Sequence, residues 1–125
     1  MQIIIDGYNL MYCIKLRGDN FQEKREELIN KLHQFLEINH GNITLVFDGH
    51  KNISEHKSIE KQGNIRIIYS ANNQTADDVI IELIKNRKTK AKNMVLITSD
   101  RKLINYASTN NIRTISSSHF AEYFE

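Results

Sequence analysis

Short apolar runs and longer amphipathic stretches alternate along the chain. Residues 3–5, 43–47, 65–69, 94–98 and 112–115 are rich in Ile, Val, Leu and aromatic side chains, and three of these runs are almost continuously apolar. Strands that helices cover on both faces read this way. Between the first two runs Leu28, Ile29, Leu32, Phe35 and Leu36 recur at spacings of three and four, which predicts an amphipathic helix over about 21–38, ended by Asn39-His40-Gly41. Val79, Ile80, Leu83 and Ile84 mark a second helix, with Thr75 as its N-cap and Asp78 three residues on. Leu103, Ile104 and Ala107 mark a third after Asp100, and Phe120, Tyr123 and Phe124 a short last one after Ser116-Ser117-Ser118. Repeated strand–helix units predict an α/β domain with a mainly parallel sheet of about five strands. The polar stretch over roughly 50–64 reads as a loop with one helical turn.

A length of 125 residues, 40% hydrophobic and 26% charged with no proline, corresponds to a single globular domain, 1–125. One cysteine, Cys13, excludes an internal disulfide and a Cys-rich zinc site and favours a reducing compartment, hence a cytoplasmic location. Cys13 itself reads as a small buried or half-buried residue rather than a nucleophile. No apolar run approaches the ~18 residues of a membrane span. The net charge of +2 announces no polyanionic partner in bulk, so charge must act by position.

Ligands of open α/β sheets bind beyond the carboxyl ends of the strands. The first predicted strand ends in Asp6-Gly7-Tyr8-Asn9, the second in Asp48-Gly49-His50 and the fourth in Ser99-Asp100, while the third leads into Thr75-Ala76-Asp77-Asp78. Taken singly, Asp100 is a helix cap, Asp78 the second half of a capping box with Thr75, Asp48-Gly49 a turn, and Asn9 turn chemistry. Together, five carboxylates at one pole repel one another unless a cation is present. An all-oxygen donor set favours Mg²⁺ or Mn²⁺ over zinc, and such a site suits metal-dependent hydrolysis of a phosphodiester.

Cations near that pole that could contact phosphate are Lys15, Arg17, His50, Lys51, Arg101 and Lys102, with Tyr8 and Tyr12 available to stack on a base. The run Lys85, Arg87, Lys88, Lys90 and Lys92 lies a helix length from the acids and reads as a solvated helix end.

Asp6-Gly7-Tyr8-Asn9, Val46-Phe47-Asp48-Gly49, Thr75-Ala76-Asp77-Asp78 and Thr98-Ser99-Asp100, in this order from about residue 2 to 115, resemble the NYN domains of the PIN-like nuclease superfamily, in particular the YacP-like group of bacterial ribonucleases. The resemblance implies a three-layer α/β/α fold and an endoribonuclease with a Mg²⁺ or Mn²⁺ site. It implies Asp6, Asp77 and Asp100 as metal-binding acids, Asp78 and Asp48 as further acids, and Asn9 and Ser99 as polar site residues. It also implies RNA as the partner, extending to mRNA and the ribosome. Two other readings stay open: a non-catalytic RNA-binding or ribosome-associated adaptor, and a PIN-type toxin ribonuclease paired with an antitoxin.

Overall fold

The computed structural model describes residues 1–49 and 58–125. Among these residues six strands form one sheet: β1 (Gln2–Asp6), β2 (Asn42–Phe47), β3 (Ser58–Gln62), β4 (Ile65–Tyr69), β5 (Met94–Ile97) and β6 (Arg113–Ile115). Their order is β3-β4-β2-β1-β5-β6. Every neighbouring pair is parallel except β3–β4. The helices are α1 (Gly7–Met11), α2 (Phe21–Ile38), α3 (Ala76–Lys85), α4 (Arg101–Thr109) and α5 (Ser117–Ala121). Among the described residues no helix is long and apolar enough to cross a membrane.

The two-residue period of the strands sorts their side chains into two cores. Ile3, Ile5, Ile43, Leu45, Ile65 and Ile67 face one layer with Leu28, Leu32 and Phe35 of α2 and Phe120 of α5. Ile4, Val46, Ile68 and Leu96 face the other, with Val79, Ile80 and Ile84 of α3 and Leu103 and Ala107 of α4. The result is the expected α/β/α sandwich, and α2 occupies the predicted range.

Two elements differ from the expectation. A strand, β3, stands at 58–62 where a loop was expected, paired antiparallel to β4 in a hairpin that turns at Gly63, whose φ is +59°. Its sequence Ser-Ile-Glu-Lys-Gln carries no alternation because it is an edge strand with both faces largely in solvent, so its partner's hydrogen bonds specify it and burial does not. The helix α1 follows β1 at once and is too short to show a helical period. Cys13 is exposed, contrary to the expected burial, because it falls in the turn after α1, between Met11 and Ile14, which pack on the core.

Candidate active site

The pleat decides where the first acid points. Ile5 faces the α2 core and Ile4 the α3–α4 core, so Asp6, the next residue, turns its carboxylate toward the layer of α3 and α4. Its neighbour Gly7 is required by close approach: a Cβ there would stand 2.6 Å from the Phe47 ring and 2.8 Å from the Val46 carbonyl. Without a side chain, the chain turns from β1 straight into α1 against β2.

Asp77 and Asp100 arrive from helix N-termini on that same layer. Thr75 caps α3, accepting from the Asp78 N–H at 3.2 Å, while the Asp78 carboxylate accepts from the Thr75 N–H at 3.0 Å. This reciprocal box turns Asp78 back onto its own cap, fully exposed, and its hydrogen bonds hold its pKa below the ordinary 3.8. Asp77, one residue earlier, is half-buried. Burial, then the Asp100 charge, pushes its pKa up, with Lys102 opposing. Asp100 is the N-cap of α4, accepting from the Leu103 N–H at 3.2 Å.

Asp6 is the most perturbed of the acids. It is 8% exposed, and its pKa rises from 3.8 to about 6, chiefly through burial. A hydrogen bond from Thr98 opposes that rise, and the charges of Asp77 and Asp100 add to it. Thr98 Oγ1 donates to Asp6 Oδ2 at 3.1 Å and itself accepts from the Asp100 N–H at 3.1 Å. The fully buried Thr98 hydroxyl therefore spends its proton on Asp6 and ties β1 to the start of α4.

A second network braces the site from the α5 side. Asn9 Oδ1 accepts from the Ser99 N–H at 2.8 Å and from Ser117 Oγ at 2.6 Å, and Ser99 Oγ accepts from the Ser117 N–H at 3.0 Å. Asn9 and Ser99 thus hold α1, the end of β5 and α5 together. Sequence reasoning missed Thr98 and Ser117 as members of the site. The only signal for Thr98 was a hydroxyl closing a buried apolar strand, and for Ser117 there was none, since its role depends on a residue 108 positions away.

Asp48 lies at the end of β2, within electrostatic reach of Asp77 and Tyr8. The Gly49 N–H after it donates to the buried Ser70 hydroxyl at 2.8 Å. Tyr8 packs against Phe21 and Phe47, with ring centroids 5.2 and 5.3 Å away, and borders a cleft of about 380 Å³ also lined by Phe21, Asp48 and Tyr69. Lys102 and Arg101 are exposed in the first turn of α4. Tyr12 is 86% exposed. Arg17 lies on the α2 side, where its backbone N–H donates to Glu27. His50 and Lys51 lie outside the described residues.

The acids thus form an inner group, Asp6, Asp77 and Asp100, and an outer pair, Asp48 and Asp78. Among the described residues no three His, Cys, Asp or Glu side chains are arranged to hold a metal ion by themselves. Magnesium takes one or two carboxylates and completes its shell with water and substrate phosphates, so this open acidic set fits such an ion in charge and donor type, as a partial cage.

A parallel sheet between two helical layers, with acids collected beyond the carboxyl ends of its central strands, is the PIN-like arrangement. The model of the YacP-like NYN domain family matches residues 3–125, and the chain belongs to that nuclease-like family. It is similar to a Bacillus subtilis (strain 168) protein described as uncharacterized protein YacP, with 28% identity over 105 residues, covering 78% of this chain and 59% of that one. The chain thus spans less than two thirds of that relative's length. Two crystal structures of Rae1 (YacP) from Bacillus subtilis share the fold. The W164L mutant superposes with a TM-score of 0.78 at 21% identity, over 98% of this chain and 73% of that one. The other gives 0.73 at 22% identity, over 98% and 72%.

Proposed function

We propose that the protein is a metal-dependent endoribonuclease that hydrolyses RNA phosphodiester bonds in the cytoplasm. The observation that carries this reading is the convergence of Asp6, Asp77 and Asp100 from three separate elements, with the charges of Asp77 and Asp100 raising the pKa of Asp6 and that of Asp100 raising the pKa of Asp77. Membership of a nuclease-like family supports it. A fold does not gather such charges for stability, because their mutual repulsion opposes it.

Asp6, Asp77 and Asp100 would hold Mg²⁺ or Mn²⁺, which supplies activation of water and stabilisation of charge on the phosphate oxygens. Thr98, donating to Oδ2, and the Asn9 backbone fix the Asp6 carboxylate. Asp48 would orient water at the rim, Asp78, held on its own cap by Thr75, would add negative charge there, and Lys102 offsets part of the charge facing the substrate. Asn9 and Ser99 keep the ends of β1 and β5 at a fixed separation through their bonds to Ser117.

The test is cleavage of structured and single-stranded RNA in Mn²⁺, with binding measured in parallel. Wild-type protein should cut, while EDTA or Asp6→Asn should reduce cutting by at least about a hundredfold with RNA binding retained. Undiminished cleavage in EDTA, or by Asp6→Asn, overturns the reading. Binding without any cleavage would favour a non-catalytic adaptor.

A further inference from the structure

One row of residues across the sheet breaks the rule that the α3–α4 face is apolar. In register, Leu96, Ile4, Thr44, Arg66 and Lys61 lie side by side on β5, β1, β2, β4 and β3. The row two residues nearer the carboxyl ends, Val46 and Ile68 among it, is covered by α3. The polar row stands two residues before the row of Asp6, on the side toward which the parallel strands begin and α3 ends.

Two cavities open there, of about 220 and 320 Å³, and they share Gln2, Thr44 and Arg66 in their walls. The first is completed by Arg87 and Lys88 beyond α3, the second by Lys61. Among the described residues no Asp or Glu lines either one. Arg87 Nη1 donates to the Ile84 carbonyl at 2.8 Å, so its guanidinium is anchored at the α3 terminus. Arg66 and Lys88 are exposed.

We propose that this basic groove binds the phosphodiester backbone of RNA, as a sequence-independent subsite remote from the acidic one. The proposal rests on the reading of RNA as the substrate. The acidic pole carries five aspartates against few cations, so it contributes little attraction to a polyanion before metal binds. The groove gathers cations from β3, β4 and the segment after α3 into one concave strip, which the backbone of a nucleic acid complements. The eight residues from Asp77 to Lys85 along α3 rise about 12 Å, and Lys88 lies beyond its end, so a dinucleotide, with one phosphodiester, cannot engage both and a long RNA can.

The test uses the double charge reversal Arg66→Glu/Lys88→Glu, both exposed, against Lys24→Glu/Lys31→Glu on α2, which makes the same change in net charge in the other helical layer. Binding of an RNA of about 30 nucleotides is measured by fluorescence anisotropy in EDTA over a series of salt concentrations, so that cleavage plays no part. The groove variant should bind at least about tenfold more weakly, and the slope of log K against log salt should become shallower by about 1.4, at ~0.7 for each phosphate no longer neutralised. The α2 variant should weaken binding much less. With Mn²⁺, the groove variant should cleave a dinucleotide substrate at the wild-type rate and a long RNA more slowly at sub-saturating concentration. Equal weakening by both variants, or none by the groove variant, overturns the proposal. If the protein cleaves no RNA at all, the endoribonuclease reading fails while the binding comparison still decides the groove.

Discussion

At the scale of single residues, Asp6 sets function against stability. Its carboxyl holds a proton more tightly in the folded chain, with a pKa of about 6 against 3.8. That contribution to stability is therefore fully present below about pH 4 and lost as pH rises through 6. Metal-free wild-type protein should lose stability over that window, and Asp6→Asn should flatten the loss. At pH 7 the variant should be more stable by up to roughly 3 kcal/mol, read as a higher Tm in EDTA, while being the least active. A merely structural aspartate would give the opposite sign. Asn9 makes the contrasting case: Asn9→Ala removes the acceptor of the fully buried Ser117 hydroxyl and should cost about 1–3 kcal/mol in urea unfolding. The acids were legible in the sequence because each one closes a strand or opens a helix. Thr98 and Ser117 were not, since a hydroxyl's role depends on what stands opposite it in space, and nothing local in the sequence records that.

At the scale of elements, the capped first turn of α3 sets where Asp77 stands. The Thr75–Asp78 box fixes its first turn, and Asp77 lies inside that turn. Thr75→Ala should cost about 0.5–2 kcal/mol and reduce cleavage through Asp77, whereas changes at the last turn of α3 should leave cleavage of short substrates unaltered. Thermal melts alongside cleavage assays separate the two effects. The buried strands and α2 were legible because burial imposes a period on their side chains. The edge strand β3 was not, because neither of its faces has to be apolar. Its partner Arg66 was an early sign that the α3 layer stops short, since a charged residue inside the run Ile-Arg-Ile-Ile-Tyr has no place under a helix.

At the scale of the whole molecule, the net charge of +2 conceals two local clusters of opposite sign. The acids lie beyond the carboxyl ends of the central strands, and the cations of the groove lie further back on β3 and β4 and beyond the end of α3. The covalent order of the parts adds a constraint in time. β1, which supplies Asp6, is central to the sheet yet made first. Its neighbour β5, the Thr98 that fixes its carboxylate, and the Ser117 that locks Asn9 are made last. Bringing together partners 92 and 108 residues apart is slow, and it cannot begin until the distal segment has left the site of synthesis. The acids of the proposed site therefore stay apart in the nascent chain until β5 and α5 have emerged, and a chain that cuts RNA as proposed would stay inert until then.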